Sequence, residues 1–323
     1  MSGLHRFCML AAVVAATWSP AHAQGFPGKP VRLVVPFPAG GSTDVVTRVV
    51  AKRLSEDWGQ PVIVDNRAGA GGTIGVKEVL RAPADGHTLL FTPMGAVSIA
   101  PLLYKDVGYK ASDLVPVAVL FRAPFFLMVP TTSTFKSAQA LLSAGKSDRA
   151  PMYGSSGNGA LSHVLGEALN QAAGTSFQHV PYKGGAPLLQ SLTVDEAQWG
   201  LLQAADARNL VDAGKLKPLI ALSARRAQPW PEAPTTEELG LKGLNLRMWN
   251  GVFAPPGTPA DVVQQLNRKI VAILGEPGVK ARLDAMAVDE KDADTSPEAF
   301  RQQIAQEVSA FTKVLSTTPI KVD

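Results

Sequence analysis

Three times along this chain a short apolar strand runs into a glycine-rich loop and then directly into a helix, and few folds are built that way. Val31 to Val35 is an apolar run bounded by prolines and reads as a buried strand. Pro36-Phe37-Pro38-Ala39-Gly40-Gly41-Ser42-Thr43-Asp44 follows it. Beyond that, Val45, Val46, Val49, Val50 and Leu54 recur at helical spacing, which predicts a helix from near Asp44. Gly40 and Gly41 allow positive φ and keep Cβ atoms away from an approaching ligand. Ser42 or Thr43 can cap the helix and turn its free N–H groups outward. Such a junction favours a carboxylate or a phosphate.

Pro61 to Val64 reads as the next strand. Ala68-Gly69-Ala70-Gly71-Gly72-Thr73 then opens a helix with Ile74, Val79 and Leu80 on one face. Gly69 and Gly71 start a G-x-G-x-x-G, but Ile74 fills the third glycine, where close helix–strand packing tolerates no side chain. Thr88 to Thr92, Val115 to Leu120, Phe125 to Val129 and Met152 to Ser155 are further strands, the last running into Ser155-Ser156-Gly157-Asn158-Gly159. A helix with Leu161, Val164, Leu165, Ala168 and Leu169 on one stripe follows. Phe177 to Gly185 is a strand ending in a glycine turn, and Leu216 to Leu222 and Trp249 to Ala254 complete the strands. Thr258-Pro259 then opens a helix striped by Val262, Leu266, Ile270 and Ile273 and ended by Gly275, and a final helix carries Phe300, Ile304, Val308 and Phe311. The closing helices have no sheet of their own nearby, so they are expected to return to the first domain.

Residues 1–23 carry a short basic start at His5 and Arg6, an apolar stretch from Met9 to Ala16, and Ala21-His22-Ala23 as an A-x-A site. That is an export signal cut before Gln24, giving a soluble periplasmic product. The chain's single cysteine, Cys8, leaves with it, so disulfides, thiol nucleophiles and cysteine-held metals are not expected. The formal charge of +4 loses Arg6 and is otherwise spread along the chain. No basic tract with interleaved aromatics points to nucleic acid. With aromatics at 7% and Val, Leu and Ala common, the pattern suits helix-covered parallel sheets, and the length suits two domains.

Catalytic parts do not assemble. His87, His163 and His179 are too scattered for a metal motif. Gly154-Ser155-Ser156-Gly157-Asn158 lacks the last glycine of a nucleophile elbow, and His163 falls on the following helix, where it packs or faces solvent. Asp44 at a helix start fits a cap as well as a base. The expected chemistry is binding, with no metal and no cofactor.

Several ordered motifs carry a family resemblance over essentially the whole exported chain. These are Lys29 to Asp44, Asn66 to Gly75, Ser155-Ser156-Gly157-Asn158-Gly159, His179-Val180-Pro181-Tyr182-Lys183-Gly184-Gly185-Ala186-Pro187, and Trp249 through Pro259. The chain resembles the Bug-type extracytoplasmic solute receptors of tripartite tricarboxylate transporters. The resemblance implies an α/β, two-lobed periplasmic-binding-protein fold (type II, Venus-flytrap), each lobe a mainly parallel sheet flanked by helices. Lobe 1 is expected from 24–124 and 251–323, and lobe 2 from 125–250, with hinge crossings near 120–127 and 247–252. A small carboxylate, either a di- or tricarboxylate or an aromatic acid, is expected in the cleft of a monomer. The loops matching Phe37 to Asp44 and Ser155 to Ala160 would hold it. The candidate ligand-binding residues are Phe37, Gly40, Gly41, Ser42, Thr43, Asp44, Gly95, Ser155, Ser156, Gly157, Asn158, Gly159 and Ala160. A small and a large membrane subunit would be the partners, or a membrane sensor in a signalling role. A third reading, an enzyme acting on a carboxylate, lacks its constellation.

Two departures bear on the ligand. Ala160 stands where the family usually has threonine, and Leu202 replaces an aspartate at the end of a strand aimed at the cleft. The second disfavours an amine-bearing ligand. No Lys or Arg lies in Pro36–Asp44, Pro93–Ala96 or Gly154–Leu161, so backbone N–H groups, hydroxyls and Asn158 are expected to meet the charge, with Lys183 the nearby cation.

Overall fold

The computed structural model describes residues 26–104, 106–122, 124–223, 225–227, 229–242, 244, 248–285 and 295–317; the export segment and its cleavage point lie outside them. Val31–Val35 forms β1 and pairs in parallel with β2 (Val62–Asn66) on one side and β3 (Thr88–Pro93) on the other. The first sheet runs β2-β1-β3-β10-β4, with β4 at Val115–Arg122 and β10 at Trp249–Ala254. The second runs β7-β6-β8-β5-β9: Gln178–Pro181, Met152–Ser155, Trp199–Gln203, Phe125–Pro130 and Leu216–Ala221.

Each sheet is mixed. β10 runs against β3 and β4, and β5 runs against β8 and β9, while the remaining pairings are parallel. The two reversed strands have one cause. β4 and β9 end at the edge where the sheets face each other, and the chain crosses there. A strand entering from that edge, as β5 and β10 do, must run away from it.

The period of two in β1 distributes its side chains to both faces. Val31, Leu33 and Val35 pack with Val46, Val50 and Leu54 of α1 (Ser42–Trp58) and with Leu266, Ile270 and Ile273 of α8 (Ala260–Leu274). Val34 turns the other way, into a core shared with Trp249 and Phe253 and with Phe300, Ile304 and Phe311 of α10 (Pro297–Thr317). Burying each such side chain contributes roughly 1.5–3 kcal/mol, so the closing helices complete the first sheet's covering. Between these lie α2 (Thr73–Leu80), a π turn at Gly95–Ile99 leading into α3 (Ala100–Leu103), α4 (Ala138–Ala144), α5 (Leu161–Ala173), α6 (Gly185–Thr193), α7 (Ala204–Asp212), and α9 (Pro277–Ala285) after α8. No helix among the described residues is long and apolar enough to cross a membrane.

Local details differ from the sequence reading at three points. In α2 the inward residues are Val76 and Val79, while Ile74 is exposed. Thr258 does not cap α8: its hydroxyl donates to Pro255 O at 2.8 Å and Pro259 takes the N-cap position. Gly275 ends α8 in right-handed conformation, with no left-handed turn.

Candidate functional site

The loop after β1 delivers the start of α1 without a side-chain cap. Gly40 takes φ +95°, Gly41 sits at the N-cap with extended backbone, and Ser42 is the first helical residue. The hydroxyls expected to cap the helix are used across the molecule. Thr43 Oγ1 donates to Asn250 Oδ1 at 2.5 Å, and Ser42 Oγ donates to Gln203 Oε1 at 3.1 Å, in the other lobe. Asn250 Nδ2 also reaches Gln203 Oε1 at 3.4 Å. The Ser42 N–H donates to Asp206 Oδ1 at 2.7 Å. The first turn of α1 is therefore open at its end, with its amides directed into the space between the lobes.

Asp44 is part of the loop's frame. Its carboxylate accepts from Gly40 N–H, Arg48 Nε and Asn66 Nδ2, each at 3.0 Å, and Asn66 also holds Phe37 O. Burial pushes the Asp44 carboxyl up, but the bonds from Arg48, Gly40 and Asn66 outweigh it and hold the group below the usual carboxylate range. A charged, fully engaged aspartate is a brace and a poor proton acceptor.

The second lobe presents the same construction. α5 begins at Leu161 with Ala160 at an uncapped N-cap. Ser162 Oγ accepts the Ser156 N–H and pairs with Ser156 Oγ, both at 2.9 Å. Ser155 is fully buried, its hydroxyl 2.6 Å from His179 Nε2. Gly159 N–H donates to His163 Nδ1 at 3.1 Å, and the rings of His163 and His179 stack at 3.7 Å, 6° apart. The carbonyl of Asn158 accepts from Tyr104 of the first lobe, while the residue itself is exposed.

The stacked histidines must be neutral to do this. Burial, with the nearness of His163, pushes His179 down to about 3, and burial also lowers His163 against the pull of Glu167. Because Gly159 N–H is the donor, a proton on His163 Nδ1 would break that bond. Depressed folded-state values mean that the unfolded chain binds more protons below about pH 6.5, so stability is full above that pH and falls below it. Thermal melts should therefore show Tm dropping between pH 7 and 5, above the range where carboxylates titrate. His163→Asn keeps an acceptor for Gly159 and should flatten that slope; an unchanged slope would remove the pair as its cause.

Two further helices end at the same place. α6 starts at Gly185 after Gly184 at φ +114°, and α7 starts at Ala204 directly from β8, with Gln203 at its N-cap. The first turns of α1, α5, α6 and α7 line a cavity of about 90 Å³ between the lobes. Each helix N-terminus carries roughly half a positive charge. No Lys or Arg is among the described residues lining it, so these ends and the hydroxyls supply its positive potential. The one carboxylate there besides Asp44 is Asp206, whose carboxyl burial pushes up while both Ser42 donors oppose the shift. Gly95 abuts the second lobe: a Cβ there would stand 3.2 Å from Leu161 N.

Of the residues expected from the sequence, Phe37, Gly41, Ser42, Thr43, Asp44, Gly95, Ser156 and Ala160 line this cavity. Gly40 lines an adjoining recess of about 150 Å³ with Asp206. Ser155, Gly157, Asn158 and Gly159 form the loop behind the wall and do not line it, and neither does Lys183. Sequence reasoning passed over Gln203, Asp206, Ser162, Gly185 and Asn250. Leu202 is buried against the cavity, and the polar end of that strand is its neighbour Gln203. The usable signal was Asn250, a lone amide in an apolar strand. Gln203 and Asp206 had none, because β8 passes into α7 without a glycine loop.

Comparison with known proteins gives the context. The model of the tripartite tricarboxylate transporter family receptor matches residues 46–317. A solved structure from Rhodopseudomonas palustris, MatC with bound malate, superposes with a TM-score of 0.85 at 30% identity, covering 90% of this chain and 100% of that one. A second protein of R. palustris, Rpa4515 with adipate, gives 0.85 at 33% identity over 91% and 99% of the two chains. The periplasmic binding protein BugD gives 0.85 at 31% identity over 92% and 99%.

Proposed function

The chain belongs to the tripartite tricarboxylate transporter receptor family, and from that premise we propose that it captures a small carboxylate between its lobes for delivery to a membrane transporter. It is a periplasmic solute-binding receptor by family and not an enzyme. The observation that carries the carboxylate is the convergence of four helix N-termini on a cavity wall without Lys or Arg. Hydrogen bonds from such amides to a charged group are each worth about 1.5–3 kcal/mol, and helix ends add a field that a neutral ligand does not use. Relatives bound to malate and adipate support a dicarboxylate over an aromatic acid. The lobes are taken as 24–124 with 251–323, and 125–250, except that Trp249 and Asn250 go with the first lobe because β10 pairs in its sheet; they close about the two crossings. The membrane partners are a small and a large transporter subunit, with a sensor as the second reading.

Native mass spectrometry of the exported protein tests both the compartment and the ligand. The polypeptide should begin at Gln24 and release a small carboxylic acid on denaturation. A chain retaining residues 1–23 would refute the export assignment. A neutral or cationic co-purified molecule would refute the carboxylate.

A further inference from the structure

A second cavity, of about 560 Å³, lies within the first lobe and shares no lining residue with the interlobe cleft. Its walls come from the π turn and α3, the segment just before β4, the start of β4, and one face of α10. Most of that wall is apolar, with Leu102, Leu114 and Ile304 among its side chains. The volume falls in the range of small-molecule sites, and apolar walls with a few polar groups are their usual makeup.

Four polar side chains break the apolar lining: Ser98, Lys110, Ser112 and Arg301. Ser98 has no exposed surface, and its hydroxyl has no hydrogen-bond partner among the described residues. Buried hydroxyls are nearly always paired, because leaving one bare costs the whole desolvation penalty. Ser98 also stands in the π turn, a helix irregularity found frequently at functional sites. Lys110 and Arg301 supply two cations, and no carboxylate is among the lining residues. Arg301 meets Glu298 only through Nε, at 3.4 Å, in an exposed pair of little energetic weight.

The geometry points to a second ligand site in the first lobe, taking an amphipathic monocarboxylate of medium chain length. The hydrocarbon fills the apolar wall, and the carboxylate meets Lys110 and Arg301 at the exposed end of the cavity. A dicarboxylate as small and polar as the proposed cleft ligand would leave the apolar wall uncovered, so the two sites select different acids.

Calorimetry with decanoate on the exported protein tests this. One equivalent should bind, and octanoate should bind about tenfold more weakly, since two methylenes fewer are buried. Decanol, without the charge, should bind at least several-fold more weakly than decanoate. Ala305→Trp places an indole into the cavity and should reduce decanoate affinity tenfold or more. The surface double variant Lys110→Gln/Arg301→Gln, which does not disturb the core, should weaken it several-fold and flatten its salt dependence. Ser42→Pro, which impairs the cleft, should leave decanoate binding intact. The proposal is overturned if decanoate does not bind, if decanol matches it, or if the lining variants bind it normally. Loss of decanoate binding in Ser42→Pro would place decanoate in the cleft and overturn it equally.

Discussion

Ser42→Pro is expected to weaken carboxylate binding about a hundredfold while leaving the fold intact. Ser42 is the first residue of α1, the one helical position where proline's missing N–H and fixed φ cost little. Gly41 before it already has φ −74° and ψ 165°, the extended region that a following proline requires. The substitution thus removes one amide hydrogen and one hydroxyl from the cavity wall, and with them the bonds from Ser42 to Asp206 and Gln203 of the other lobe. Two charge-assisted bonds at about 1.5–3 kcal/mol each would allow a larger loss; replacement by water keeps the figure near two decades. Asp206 provides the opposite test. It holds the Ser42 N–H at 2.7 Å, the donor that a ligand carboxylate needs, so the two groups compete for it. Asp206→Asn keeps an acceptor that cannot ionise; burial pushes the Asp206 carboxyl up, so the variant should tighten binding by an amount that grows with pH as Asp206 ionises. Ser156→Ala should cost about tenfold, and Lys183→Ala, away from the wall, little. Calorimetry with malate and adipate on these variants decides the matter. Wild-type affinity in Ser42→Pro, or loss of binding only in Lys183→Ala, would show that the helix ends are not the anion site.

How far the sequence exposed this site depended on how each wall is made. β1 and β6 end in loops rich in glycine and serine, and the physical need for bare backbone at an anion site makes such loops conspicuous. Apolar runs and turn residues located most strands, Trp249–Ala254 and Met152–Ser155 among them at their observed bounds. The direction of β5 and β10 was hidden, because strand reversal depends on which end of the sheet the chain enters and no local pattern records that. Asp206 was hidden for a related reason. It stands in the first turn of α7, where an acidic residue is routine; only the approach of Ser42 from 164 residues earlier gives it a role in the cleft. The caps failed in an instructive way. Ser42 and Thr43 have the right chemistry for capping, yet the Ser42 hydroxyl crosses to Gln203 of the other lobe and the Thr43 hydroxyl ties α1 to Asn250 of its own sheet, so neither caps the helix end.

Trp249→Ala should be the most damaging single truncation to stability, costing about 3–5 kcal/mol from lost packing alone. The side chain has no exposed surface and opens β10, the strand that returns the chain to the first sheet. Its ring meets Phe300 edge-on at 4.8 Å and lies 5.7 Å from Phe253, so it joins α10 to the sheet. Its Nε1 donates to Glu307 Oε2 at 2.7 Å; Gln303 bonds the other oxygen of Glu307 and itself accepts from Arg122, the register partner of Trp249 at the end of β4. Truncation therefore opens a void and unties the two strand ends that meet the crossings. Against a usual total of about 5–15 kcal/mol, such a loss leaves little margin. Trp249→Phe keeps most of the packing but not the donor, and should cost a smaller share, near the 1–3 kcal/mol of an unsatisfied acceptor. Denaturant titrations followed by far-UV circular dichroism should show the midpoint falling in the order wild type, Phe, Ala at constant m-value. Binding should weaken with it, since Asn250, the next residue on β10, is what holds Thr43 at the head of α1. An unfolding free energy for Trp249→Ala within about 1 kcal/mol of wild type would mean that α10 and the returning strand do not complete the first lobe's core.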